Sequence, residues 1–324
     1  AIFKNKGGFS ISPVFGGATA QAEFEVLCGV PAMRELSGIE FDVFTGAQTL
    51  CLPNILSQAG YHTMATNAFS PDFFNSTKGY EGVGFANIFY PSEYAPGVET
   101  YFSIGDVTDE AFMYDGDLFA QNLTFVSNWL QQNPGKPLMN YIMTIYGHTP
   151  HLINLDKRPK AVEIMGKGTF RDEQLERAVN QYYYRTQVIA AYVRELMRVD
   201  PKSIIILVSD HLPSLTYGPN TYKELHYLSN SEDSIHLNRI YIVENGQAVH
   251  YDTIHHYDVP RIILNYVTRA KSSQTFTVNA EPPDKSIGKS SLREQYMTIM
   301  AHAMDGEPIF SGFGFWEALD AHAN

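Results

Sequence analysis

The chain has 324 residues, of which 44% are hydrophobic and 18% are charged, so it can bury a substantial core and is not intrinsically disordered. Its formal net charge of −12 repels phosphate backbones, which argues against a nucleic-acid-binding protein. An acidic protein that binds an anion needs local positive charge, and a bound divalent metal supplies this charge compactly.

The first informative segment, residues 16–25, has the sequence GGATAQAEFE. Thr19 follows a glycine pair and is predicted to begin a helix that runs to about Leu27 and ends at Gly29. The hydroxyl of Thr19 has two interpretations. It is an ordinary helix N-cap, which the spacing alone favours. Alternatively it is a nucleophile, because a helix N-terminus favours an anion and a metal on the hydroxyl would make an alkoxide available.

Two cysteines, Cys28 and Cys51, occur in the chain, and their spacing matches no zinc-binding pattern. They could form a disulfide if the protein is exported, or they could be two small buried side chains. We prefer the second interpretation, because cysteine is often buried without a functional role.

Strand patterns alternate with helical patterns over most of the chain. Residues 173–198 carry apolar side chains at intervals of three and four, which predicts one long amphipathic helix, and residues 52–59 predict a shorter one. Apolar runs predict strands at residues 61–65, 138–145, 203–209 and 239–243. The alternation predicts an α/β fold: a three-layer sandwich with a mostly parallel central sheet covered by helices on both faces.

Residues whose side chains can act in catalysis or bind a metal follow two of these strands. His148 comes after residues 138–145, and Asp210 and His211 come after residues 203–209. Ligands of open α/β sheets bind beyond the carboxyl ends of the strands, so these side chains meet at one edge if the strands are parallel. Asp210 and His211 suit Zn²⁺ or Mn²⁺, although such a pair is more often a helix cap beside a structural histidine.

Three motifs together resemble a known family. They are GGATAQAEFEVLCG, IYGHTPH and VSDHLP, in that order, and the later segment HYDVPRIIL is also similar. They resemble the extracellular domain of lipoteichoic acid synthases and related phosphoglycerol transferases, in the sulfatase branch of the alkaline phosphatase superfamily. The resemblance spans about residues 10–270. It implies a sulfatase-like catalytic domain over residues 1–270, followed by a small C-terminal subdomain over residues 271–324.

The resemblance implies a role for each motif. Thr19 would take the phosphoryl group and ligate the metal, Asp210 and His211 would be further metal ligands, and His148 would lie beside the substrate phosphate. His148 would then donate a hydrogen bond to phosphate oxygens or act as a general acid. The implied cofactor is a divalent metal, Mn²⁺ first, with Zn²⁺, Mg²⁺ and Ca²⁺ as alternatives.

The implied reaction has two steps and two partners. Thr19 attacks an anionic phospholipid donor, phosphatidylglycerol in the first instance, and a cell-envelope glycan or polymer hydroxyl then attacks phospho-Thr19. The resemblance places this chemistry on the extracytoplasmic face of a bacterial membrane, near an N-terminal anchor that is missing here. The chain itself has no apolar run of about 18 residues and no signal peptide.

The chain departs from the family pattern at the metal site. The family takes a further acidic ligand from the end of a strand well before the nucleophile, but residues 1–18 contain no Asp or Glu. We expect that the chain starts after that strand or that the metal site is broken. Glu23 and Glu25 are the nearest acids, but both lie on the helix that follows Thr19.

The predicted headgroup pocket also departs from the family pattern. Related transferases carry a Trp and an Arg there, and the corresponding positions in this chain are Phe74 and Ser76. Phe74 could replace the Trp as a wall, and Lys78 would be a poor substitute for the Arg.

Two other functions remain open. One is a phosphodiesterase or a sulfatase-type hydrolase of the same fold; residues 18–22 lack the Cys/Ser-x-Pro-x-Arg sequence that sulfatases need. The other is a non-catalytic envelope-binding domain with an incomplete metal site.

Overall fold

The computed structural model describes Phe3 and residues 6–32, 51–164, 172–227 and 232–269, so the predicted C-terminal subdomain, residues 271–324, lies outside the described part. Strands and helices alternate, as predicted. The strands are β1 (Gly8–Ile11), β2 (His62–Asn67), β3 (Asn87–Phe89), β4 (Leu138–Met143), β5 (Ile204–Val208), β6 (Leu237–Glu244), β7 (Gln247–Val249) and β8 (Ile254–His255). The α-helices are α1 (Thr19–Cys28), α2 (Leu52–Gln58), α3 (Ser76–Val83), α4 (Asp115–Gln132), α5 (Glu173–Val199), α6 (Pro219–Glu224) and α7 (Val259–Val267).

The smaller sheet has the order β3-β2-β4, and all its strands are parallel. Successive side chains of a strand point to opposite faces of a sheet. Neighbouring residues of β2 therefore show which helices cover each face. Ala65 packs into a core cluster with Phe24 of α1 and Tyr80 of α3. Its neighbour Met64 packs into another cluster, with Leu118 of α4. The sheet is therefore the middle of three layers, and the predicted α/β fold with a central sheet is confirmed.

The larger sheet has the order β5-β6-β1-β8, with β7 paired to β6. The strand predicted at residues 239–243 exists as β6, but it runs antiparallel to both β1 and β5. The mostly parallel sheet of the prediction is therefore mixed here. Because β1 and β5 flank β6 and run in the same direction, their carboxyl ends lie at the same edge of the sheet. The chain leaves β1 toward Thr19 and leaves β5 toward Asp210.

The two cysteines form a disulfide, with an S–S distance of 2.07 Å. The preferred interpretation as two unpaired buried side chains is therefore wrong, although both residues are almost completely buried. The bond joins the last residue of α1 to the residue before α2. The sequence could not settle the pairing, because the pairing depends on how these two helices approach each other.

Among the described residues, no helix combines the length and apolar character that crossing a lipid bilayer requires.

Candidate active site

Thr19 is the first residue of α1, and it is not a helix cap. The N-cap position is Ala18, whose φ of 61° is left-handed, and no side chain caps this helix end. A left-handed conformation costs a non-glycine residue about 1–2 kcal/mol, so the surrounding contacts must hold it. The N-cap interpretation of Thr19 is therefore wrong, and its hydroxyl is used elsewhere.

Two hydrogen bonds to backbone carbonyls hold the loop before α1 against the loop after β5. The Ser12 hydroxyl donates to the carbonyl oxygen of Asp210 at 2.5 Å, and the Gly16 amide donates to the carbonyl of Leu212 at 2.9 Å. Gly16 has a φ of 74°, and a Cβ there would lie 2.7 Å from Cβ of Ser214. A glycine is required because any larger residue would push the two loops apart.

Three polar atoms converge where these loops meet. Oγ1 of Thr19 lies 3.0 Å from Oδ2 of Asp210 and 3.3 Å from Nε2 of His211. The third side of the triangle, from Oδ2 to Nε2, measures 3.2 Å. The Thr19 hydroxyl donates to the carboxylate. The Asp210 side chain is 35% exposed and that of His211 is 13% exposed, so the cluster is open to solvent on the carboxylate side.

The chemistry of these atoms fits a divalent cation. Nδ1 of His211 donates to the carbonyl of Leu212 at 3.0 Å, so Nε2 is the ring nitrogen that faces the cluster. A carboxylate oxygen and an unprotonated ring nitrogen repel each other unless a proton or a cation lies between them. Donor atoms on adjacent vertices of a tetrahedral site with ligand distances near 2.0 Å lie about 3.3 Å apart, close to the sides of this triangle.

The described residues supply only part of a metal site. Across the described ranges, no group of three His, Cys, Asp or Glu side chains could hold an ion. Thr19, Asp210 and His211 thus provide one hydroxyl, one carboxylate and one imidazole.

The two acids on α1 are both used inside the fold. Glu23 is 2% exposed, and its Oε1 accepts hydrogen bonds from the hydroxyls of Tyr80 and Tyr141, each at 2.7 Å. Burial raises the pKa of Glu23 to about 8, although the two tyrosine hydroxyls favour its charged form. The Glu25 carboxylate accepts from the backbone amide of Ala32 at 2.9 Å. Neither acid belongs to the triangle of polar atoms.

His148 lies on the turn that follows β4, and its side chain is exposed. Its Nδ1 donates to the carbonyl of Thr149 at 2.7 Å, so Nε2 is the nitrogen that can face a ligand. The ring lies edge-on between Phe73 and Phe112, at centroid distances of 6.3 and 5.3 Å. Phe73 and Phe112 therefore form an aromatic rim around His148.

The three residues predicted for the headgroup pocket have different environments. Phe74 is partly buried and packs against the core cluster that includes Phe24 and Tyr80. Ser76 is completely buried, and its hydroxyl bonds the carbonyl of Pro71 and the hydroxyl of Tyr90, each at 3.0 Å. Lys78 is exposed, and no contact with another described residue fixes its ammonium group.

Arg185 is the residue near this region that the sequence analysis missed. It lies on α5, and its guanidinium donates hydrogen bonds to Asp115 of α4 and to Thr144 after β4. The negative charge of Asp210 is close enough to raise the pKa of Arg185. A signal was present in the sequence, because Arg185 falls three residues after Tyr182 and four before Ile189 on the apolar stripe of the helix. A charged residue on such a stripe indicates a buried partner or a site.

Comparisons with known proteins agree with this fold. A family model described as Sulfatase matches residues 3–267. A curated protein of Rhizobium meliloti (strain 1021), named "Putative cyclic beta-1,2-glucan modification protein", is 25% identical over 217 residues. That match covers 65% of this chain and 31% of the rhizobial protein, so the chain spans about a third of that relative's length.

Two solved structures share the fold at low sequence identity. The lipoteichoic acid synthase LtaP of Listeria monocytogenes has a TM-score of 0.63 at 16% identity, with 84% of this chain and 66% of that chain covered. The phosphoglycerol transferase GacH of Streptococcus pyogenes, in complex with sn-glycerol-1-phosphate, has a TM-score of 0.64 at 16% identity, with 94% and 78% covered.

Proposed function

Because the chain belongs to the sulfatase family, a family of enzymes within the alkaline phosphatase superfamily, we propose that it is a metal-dependent transferase of phosphoglycerol or a related phospho-headgroup. Thr19 is the nucleophile in this proposal. The observation that carries it is the triangle of Thr19, Asp210 and His211, with sides of 3.0, 3.2 and 3.3 Å. A sulfatase reaction is disfavoured, because residues 18–22 lack the nucleophile sequence of that reaction.

In the first step, Oγ1 of Thr19 attacks the phosphorus of a phosphodiester such as phosphatidylglycerol. The Oγ1–P bond forms, the Thr19 proton passes to Oδ2 of Asp210, and the bond from phosphorus to the diacylglycerol oxygen breaks as that oxygen takes a proton from Nε2 of His148 or from solvent. The existing hydrogen bond already points the Thr19 proton at Oδ2. A divalent cation held by Thr19, Asp210 and His211 would supply positive charge for the nucleophile and the phosphoryl oxygens.

In the second step, the phosphoryl group passes from Thr19 to an acceptor. An acceptor hydroxyl attacks phospho-Thr19 and gives its proton to His148 or to solvent, the Oγ1–P bond breaks, and Oγ1 of Thr19 takes back the proton from Oδ2 of Asp210. His148 serves both steps from the aromatic rim, as a hydrogen-bond donor to phosphoryl oxygens or as the acid that protonates the leaving oxygen. Either role requires a proton on Nε2, because Nδ1 already donates to Thr149.

The choice of metal follows from the donor atoms. An oxygen-rich set with one imidazole suits Mn²⁺ first, and Zn²⁺, Mg²⁺ and Ca²⁺ are the alternatives. We expect the remaining acidic ligand from outside the described residues.

Three observations support the proposed donor, acceptor and location. The structures of LtaP and GacH share the fold, and GacH holds sn-glycerol-1-phosphate, which motivates a phosphoglycerol donor. The glucan modification named for the rhizobial relative motivates a glycan acceptor. The Cys28–Cys51 disulfide suits an oxidising compartment, as on the extracytoplasmic side of a bacterial membrane.

The test is to trap the phosphorylated threonine. The protein is incubated with Mn²⁺ and phosphatidylglycerol vesicles, and intact-mass and peptide spectra are recorded together with diacylglycerol release. We expect one glycerophosphoryl group on Thr19. Thr19→Ala should lose the adduct and reduce turnover by at least about 1000-fold, while the unfolding transition stays unchanged.

Thr19→Ser is the matched control, because it keeps a hydroxyl at the same position. Turnover that survives Thr19→Ala would reject the nucleophile. A protein that binds no metal would favour the envelope-binding alternative, and release of glycerol phosphate to water in the presence of glycan would favour the hydrolase.

A further inference from the structure

Arg185 presents a fixed guanidinium beside the turn that carries His148. Its Nε donates to Oδ2 of Asp115 at 2.6 Å, and its Nη2 donates to Oγ1 of Thr144 at 3.0 Å. Asp115 is 1% exposed, but the Arg185 side chain is 21% exposed. Two of the three guanidinium nitrogens are therefore anchored in the fold.

The remaining nitrogen, Nη1, lies against the backbone of Gly147. A Cβ built on Gly147 would lie only 1.9 Å from Nη1 of Arg185, so any side chain at this position would displace the guanidinium. Within the described ranges, Nη1 has no hydrogen-bond acceptor of its own. The absence of a side chain at position 147 thus lets the guanidinium pack directly against the residue that precedes His148.

A second ion pair of the fold offers a comparison. Arg158 pairs with Glu110, and its guanidinium lies 3.9 Å from the ring centroid of Tyr114, which covers one of its faces. The Arg158 side chain is 12% exposed. The Arg185 side chain is 21% exposed. The negative charge of Asp210 is close enough to raise the pKa of Arg185.

The residues predicted to contact the headgroup leave a cationic role unfilled. The Ser76 hydroxyl is used inside the fold, and the Lys78 ammonium is not fixed. A preorganised guanidinium binds phosphoryl oxygens with planar, charge-assisted hydrogen bonds that a mobile ammonium does not reproduce. Resting on the proposed function, we propose that Arg185 binds a non-bridging oxygen of the phosphoryl group that Thr19 attacks.

The test measures binding, so it does not depend on turnover. Isothermal titration calorimetry with inorganic phosphate is carried out on the Mn²⁺-loaded protein. Arg185→Gln should weaken phosphate binding roughly 10- to 100-fold and leave Mn²⁺ affinity unchanged. Arg185→Lys should have an intermediate effect, because it keeps the charge and loses the planar group.

Two paired variants separate binding from folding. Asp115→Asn with Arg185→Gln avoids a buried, unpaired carboxylate and should fold even if the single variant does not. Glu110→Gln with Arg158→Gln removes a comparable buried pair and should keep wild-type phosphate affinity. Equal losses in both paired variants would overturn the assignment.

The two proposals fail in different ways. If the wild-type protein binds Mn²⁺ but no phosphate, the proposed function fails and Arg185 loses its role with it. If the wild type binds phosphate and Arg185→Gln binds it equally well, only the role of Arg185 is overturned.

Discussion

Two carboxylates near the start of α1, those of Asp210 and Glu23, have opposite environments. Asp210 is about a third exposed and lies 3.2 Å from a histidine nitrogen. Glu23 is buried and accepts two tyrosine hydroxyls on one oxygen. Asp210 is therefore within reach of a cation from solvent. Burial favours the protonated form of Glu23, although the two tyrosine hydroxyls that it accepts favour the charged form. The difference shows that access to solvent decides which acid is available to a metal.

The largest expected effect breaks the first environment. Asp210→Asn removes the charged oxygen while keeping the size of the side chain, so Mn²⁺ affinity should fall by at least about 100-fold. Asp106→Asn is the control, because Asp106 is an exposed acid that pairs with Lys157. Calorimetric titration with Mn²⁺ checks the prediction. Equal affinities for the two variants and the wild type would show that Asp210 is not a ligand.

A smaller effect tests the second environment through pH. The Glu23 carboxyl has a pKa of about 8 in the folded chain, above its ordinary value of 4.5. From about pH 4.5 to pH 8 the unfolded chain has released this proton and the folded chain has kept it. Glu23 therefore lowers the free energy of unfolding as pH rises, by up to about 1.4 kcal/mol per pH unit, with no further loss above pH 8.

Glu23→Gln should remove this pH-dependent loss, because the amide is neutral at every pH and still accepts both tyrosine hydroxyls. The variant should be more stable than the wild type at pH 7. Urea unfolding at several pH values, with a chelator present, measures the difference. Parallel stability curves for the two proteins would mean that Glu23 is ionised in the folded state.

The smallest effect removes one hydrogen bond to the buried acid. Tyr141→Phe deletes a hydroxyl that donates to Glu23 and should lower the free energy of unfolding by about 1 kcal/mol. Tyr183→Phe is the control, since the Tyr183 side chain is 43% exposed. Thermal unfolding of both variants checks this, and an equal effect at the two positions would contradict it.

Local sequence patterns placed the elements that they predicted within a few residues of their observed ends. The long helix predicted at residues 173–198 is Glu173–Val199, and the strand predicted at residues 203–209 is Ile204–Val208. These predictions succeed because the period of apolar residues directly records which face of an element is buried. The same patterns say nothing about strand direction, so they predicted the strand β6 but not that it runs antiparallel to its neighbours.

The sequence by itself determined the alternation of elements and nominated Thr19, Asp210 and His211 through their motifs. Only the tertiary structure decided that these three side chains converge, that Cys28 bonds Cys51, and that burial raises the pKa of Glu23. It also showed that Arg185 reaches Gly147. The physical reason is one of range: periodicity and turn chemistry act between neighbours in the chain, but pKa values, disulfides and ligand sets depend on residues that only folding brings together.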